Sequence, residues 1–190
     1  TSINNLIDTF EIAGVSEIKI LWSIDQHSSY VDNFQNRNLN VIYTDDDQFH
    51  KLAYALTYVE ESTYSWIMKL RPDAIMEPIN QYQLAHILQD CLTRDVIYKQ
   101  GDITFIGSSK CIKKLETFHL KNKTYDRDTL ELIPWEHSPH NPRHPGGISR
   151  WENAPEIQFY AHVTVHNVAL QDFRFITGIV RSNNHLQIFK

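Results

Sequence analysis

"YSWIMKLRPDAIM", residues 64–76, sets Lys69, Arg71 and Asp73 at alternate positions in an otherwise apolar run. Alternation is the period of a strand, so the three charged side chains fall on one face. Pro72 has no N–H to give to a ladder, so the chain leaves the sheet at that point. Arg71 and Asp73 therefore stand at a strand's carboxyl end, where open α/β sheets place their ligand groups. A carboxylate suits a divalent metal and a guanidinium suits phosphate oxygens. Together they fit a diphosphate carried by magnesium or manganese. An Arg71–Asp73 ion pair that merely closes a strand edge accounts for the same residues. Residue types alone leave both readings open.

Working outward, residues 2–13 (SINNLIDTFEIA) place Ile3, Leu6, Ile7 and Phe10 on one face, which predicts a helix ended by Gly14. "EIKILWSI" (17–24) and "LNVIYT" (39–44) read as buried strands, with room for a short helix between them. Residues 44–63 predict a helix capped by Asp45 or Asp46, with Leu52, Ala55, Leu56 and Val59 as its buried stripe. Beyond the opening stretch come a helix over 79–93, a short strand "DVIYKQ" (95–100), and "GDITFIGSS" leading into a helix over 108–120. Helix and strand alternate through residue 120, which predicts an α/β layered sheet, mostly parallel, in a single domain over 1–190. Residues 134–155 carry five prolines and two glycines without periodicity, a long loop suited to an active-site lid. A helix over 155–166 and a strand "FRFITGIVR" (173–181) close the chain.

The charge balance narrows the function. Eighteen Lys and Arg against 23 Asp and Glu give a net charge of -5, which supplies no global basic field for nucleic acid. No apolar run reaches the ~20 residues of a membrane helix, and no secretory leader is visible. Two cysteines, Cys91 and Cys111, show no framework spacing, which fits a reduced, cytoplasmic compartment.

In order along the chain, the helix over 47–60, the Lys69-x-Arg71-x-Asp73 strand, "DVIYKQ", "GDITFIG", Pro155-Glu156 opening a late helix, and "GIVRSN" resemble the glycosyltransferase-like proteins of lipopolysaccharide and capsule synthesis. The resemblance runs from about residue 3 to 183. It implies a GT-A-type fold, a Rossmann-like layered sheet with helices on both faces, binding a nucleotide-sugar. It also implies transfer of the sugar to a glycan or other hydroxyl acceptor, assisted by manganese or magnesium. Families of that type carry Asp-x-Asp at the end of an internal strand, where this chain reads Arg71-Pro72-Asp73. One carboxylate is thus replaced by a cation. GT-A folds also open on a strand, whereas this chain opens on a helix. Either that strand precedes the sequence in hand or the nucleotide site is built differently.

On the resemblance, Asp73 and His162 would hold the metal, Lys69, Arg71 and Arg143 the diphosphate, and Asp102 would line the sugar or acceptor pocket. Inverting transfer needs a base for the acceptor hydroxyl, a role that falls to Glu156 or, second, Asp102. Each residue also has a structural account. Asp102 fits a turn and Glu156 a helix first turn. His162 and His166, four apart on one helix face, fit a partly buried surface as well as a shared metal. Asp45 and Asp47 form a second nominal Asp-x-Asp pair that a helix N-terminus explains equally. His137, His140 and His144 crowd the long loop without regular ligand spacing.

Two other functions stand beside transfer. A binding domain for carbohydrate or a partner protein would keep the fold and lose the metal site. A metal-dependent nuclease would use Pro72-Asp73 with Glu17 and Lys19, although those halves come in reversed order.

Overall fold

The computed structural model describes residues 2–24, 39–43, 48–71, 74–76, 79–101, 104–118, 123–126, 128–134, 155–180 and 186–188. The chain begins with α1 (Ser2–Ile12), β1 (Ile20–Ile24), β2 (Leu39–Tyr43) and α2 (Gln48–Leu56). β3 (Trp66–Lys69), β4 (Ala74–Met76), α3 (Gln81–Arg94), β5 (Val96–Gln100) and β6 (Thr104–Ser108) follow. α4 (Ser109–Lys113) runs into a 3-10 turn (Lys114–Thr117), then β7 (Lys123–Tyr125) and β8 (Leu132–Pro134). α5 (Pro155–Val165), β9 (Ala169–Asp172), β10 (Ile176–Val180) and β11 (Leu186–Ile188) complete it.

The fold is mixed α/β, and two expectations need correction. Residues 64–76 do not form one strand. β3 joins a four-stranded sheet and β4 a different, three-stranded one of order β11-β10-β4. β3 ends at Lys69 and β4 begins at Ala74. The Ala74 N–H donates to the Arg71 carbonyl at 3.2 Å. Nor is the sheet mostly parallel. The four-stranded sheet has the order β3-β6-β5-β9, with β6 antiparallel to both β3 and β5, and only the β5–β9 pairing parallel. Both pairings of the three-stranded sheet are antiparallel. The cause is local. β5 turns back at Gly101, whose φ of 54° suits a glycine, and a hairpin needs no crossover. β6 thereby slots between β3 and β5. Those two strands, both opposed to β6, run parallel to one another with α3 on the path between them, as in a split βαβ unit.

The chain divides into two compact units. The first comprises Thr1–Ile20, Glu60–Ile112 and Ala169–Lys190. One face of its four-stranded sheet packs Trp66, Met68, Tyr98 and Ile106 against Leu84, Ile87, Leu88 and Cys91 of α3. The Trp66 indole N–H donates to the Leu88 carbonyl at 2.8 Å and fixes β3 beneath the helix. Asn80 caps α3 by accepting the Gln83 N–H at 2.9 Å. α1 ends as its sequence predicts. Gly14 has φ 92°, its N–H donates to Glu11 and that of Val15 to Phe10, which is the paired-bond C-terminal cap that glycine permits.

The second unit comprises Leu21–Val59 and Lys113–Val168. Its core is aromatic. Phe49 stacks on Phe159 at 4.4 Å, and Phe118 meets both rings edge-on. The buried stripe of α2 is Phe49, Leu52, Ala53 and Leu56, which keeps Leu52 and Leu56 of the expected set; Ala55 and Val59 are only half-buried. Among the described residues no helix is long and apolar enough to cross a membrane.

Candidate functional site

Strand direction decides what gathers at one edge of the first unit. β3, β5 and β9 all run the same way, so Lys69, Gln100 and Asp172, their last residues, reach the same edge. Register then sets a row. Lys69 lies opposite Phe105, Phe105 opposite Lys99, and Lys99 opposite Asp172. Because side chains alternate across a sheet, this row shares the face away from α3.

Phe105 is fully buried at the middle of the row. The Lys69 ammonium sits 5.3 Å from its ring centroid, within cation–π range, and so leans toward β6. The backbones of Lys69 and Lys99 are two strand spacings, about 10 Å, apart. The Lys99 ammonium donates to an Asp172 carboxylate oxygen at 2.7 Å. Its side chain is 16% exposed, whereas that of Asp172 is 85% exposed. Arg71, half-buried, follows Leu70 just beyond the end of β3. Among the described residues this edge is therefore rich in cations, with one carboxylate already engaged.

Asp73, Asp102 and Arg143 lie outside the described residues, as do Asp45, Asp47, His137, His140 and His144. Glu156 and His162 belong to the second unit, and Lys69 and Arg71 to the first. Glu156 is half-buried in the first turn of α5, where a carboxylate suits the helix dipole. Glu17 and Lys19 bridge one another at 3.2 Å on the surface, with Lys19 over the Tyr64 ring.

His162 is buried, and both of its ring nitrogens are engaged. The Lys114 carbonyl, 3.2 Å from Nε2, can only accept, so Nε2 carries the hydrogen. Nδ1 then accepts from the Tyr125 hydroxyl at 2.7 Å. Thr117 lies 3.3 Å from Nε2. Gln158, one turn earlier on α5, accepts the Tyr125 N–H at 2.6 Å and so holds the same strand. Burial pushes the His162 imidazole down to about 4, with a smaller contribution from His166 outweighed by the Lys114 bond in the other direction. His166 does share the face, its ring centroid 4.2 Å away. The ring is thus a neutral structural imidazole here, and metal ligation through it would require breaking the Tyr125 or Lys114 bond. Among the described residues no three or more His, Cys, Asp or Glu side chains gather as metal ligands do.

Lys99, Phe105 and Asp172 were absent from the residues singled out in the sequence. The only local sign was Lys99 within the alternating "DVIYKQ"; its relation to Lys69 exists only through β6. No family model, curated protein or solved structure matches the chain.

Proposed function

We propose that the first unit binds the diphosphate of a nucleoside diphosphate sugar at the carboxyl ends of β3 and β5, and that the chain transfers the sugar to a hydroxyl acceptor with a Rossmann-like, GT-A-type sheet as its frame. The observation that carries the reading is the row Lys69–Phe105–Lys99, with the Lys69 ammonium over the buried ring and Lys99 opposite Phe105 in register. Transfer requires charge building on the leaving diphosphate to be neutralised by groups already in place. Lys69, Lys99 and Arg71 supply that charge from rigid strand ends, which cost little to reorganise. Asp102, which follows Gly101 in the sequence, takes the acceptor proton.

The described donors of this edge fit an anion better than a cation, because Asp172 is the carboxylate among them and it is bonded to Lys99. Manganese or magnesium, if used, would rest on Asp73, and no step here is routed through it. A second reading, a binding domain that transfers nothing, is favoured by His162, whose ring nitrogens are both committed to protein partners.

Calorimetric titration with uridine, guanosine and cytidine diphosphates, with and without manganese, tests the proposal. Binding is expected, weakened about tenfold or more by Lys69→Met or Lys99→Met as each removes one charge-assisted contact. Absence of binding under every condition overturns it. Binding without sugar turnover, unchanged in Asp102→Asn, selects the second reading.

A further inference from the structure

We propose that the outer face of α3 docks a second copy of this chain, pairing in antiparallel order with the same helix of that copy. Leu84, Ile87, Leu88 and Cys91 form the inner face of α3 and pack on the sheet. Tyr82 and Leu92 are 78% and 44% exposed, so the core makes little use of either. Between Gln81 and Thr93 no exposed position of α3 carries Asp, Glu, Lys or Arg. Asp90, the one such residue in that span, is buried and accepts from the Tyr98 hydroxyl and the Arg94 guanidinium. The solvent face of a helix ordinarily carries charge, as α1 does with Asp8 and Glu11. Depletion of charge around a prominent tyrosine is instead the composition of an interface centre.

Spacing and symmetry say which partner fits. Tyr82, Ala85, Gln89 and Leu92 follow one another at intervals of three, four and three, the seam of a helix pair. Tyr82 and Leu92 stand five residues either side of Ile87, and Ala85 and Gln89 two either side. A two-fold axis crossing the helix at Ile87 therefore sets Tyr82 against Leu92 of the second copy, and Ala85 against its Gln89. A long side chain thus meets the short one at the centre of the strip. Two copies with a net charge of -5 each repel, and an uncharged strip lets them meet without facing carboxylates. With 14 residues, α3 offers a strip about 21 Å long and about 10 Å wide, short of the roughly 1,000 Å² that a stable interface clears. The dimer is accordingly weak and forms as concentration rises. The row of Lys69, Phe105 and Lys99 lies on the sheet face away from α3, so pairing through this helix does not cover it.

Sedimentation of the full chain between about 1 μM and 1 mM tests this, with dimerisation expected at a Kd of roughly 0.1 mM. Leu92→Glu and Tyr82→Lys, both at exposed positions, should keep the wild-type melting temperature and each raise Kd about tenfold or more. An equal mixture of the two variants should recover the wild-type Kd, because antiparallel pairing brings the new carboxylate of one copy against the new ammonium of the other. A wild type that stays monomeric throughout overturns the proposal and leaves the face to a different partner. A dimer that neither variant weakens overturns it too, since the contact then lies elsewhere. Weakening without recovery in the mixture overturns the antiparallel pairing about Ile87.

Discussion

A methyl group at Gly107 has no free space. A Cβ there would lie 3.1 Å from Ile97 Cγ1 and 3.2 Å from Ile112 Cγ1, and both neighbours are fully buried. Gly107→Ala is expected to cost about 1–3 kcal/mol by overpacking, read as a lower urea midpoint with unchanged slope; an unchanged midpoint would mean that α4 yields easily. His162 gives a pH dependence. Its folded value of about 4 lies below the ordinary 6.5, so the unfolded chain binds the proton more readily. Its contribution is complete above pH 6.5 and is lost as the pH falls from 6.5 toward 4, up to about 3 kcal/mol in all. Denaturant melts of wild type and His162→Gln should converge across that window. Curves that stay parallel would show that the imidazole is not held neutral.

Among the elements, α2 depends on a side chain from a distant segment of its own unit. The Lys113 ammonium donates to the Leu56 and Val59 carbonyls, each at 2.8 Å, and pairs with Glu116. The Leu56 carbonyl also accepts the Val59 N–H at 3.1 Å, and a cation at a helix end suits the dipole. Lys113→Met should lower stability by about 1–2 kcal/mol and raise hydrogen exchange in the last turn of α2 above the rest of the helix; uniform exchange would deny the cap. The helices were the elements that sequence made legible, since α1, α3 and α5 carry periodic faces or end signals within their own residues. Strand partners were not. Proline at position 72 signalled a stop, yet nothing local said that the two halves of 64–76 enter different sheets. Helix–strand alternation suggested parallel neighbours because it records order along the chain, and β6 changed the pairing by folding back through a short turn. β7 and β8, three residues each, are too short to show a period. "ALQD" became the strand β9 only by pairing beside β5.

At the scale of the whole chain, charge works against the proposed ligand. A net charge of -5 repels an incoming diphosphate, and the cations that would hold it form a short row rather than a field. Composition made the missing field legible, while the row exists only in the folded sheet. That is why Lys69 and Arg71 drew notice in the sequence and Lys99 did not. The two effects respond differently to salt. Repulsion acts over a Debye length of about 30 Å at 0.01 M and about 8 Å at 0.15 M, so it is screened first. Contacts to half-buried lysines, a few ångströms long, are screened less. Association of a fluorescent nucleoside diphosphate, followed by stopped flow, should therefore speed up by about threefold between 0.01 and 0.15 M salt as long-range repulsion fades. Dissociation should change less than association over the same range. A rate that falls steadily with salt would mean the ligand is steered by a wider cationic surface than this row supplies, and the site would have to be sought beyond Lys69, Arg71 and Lys99.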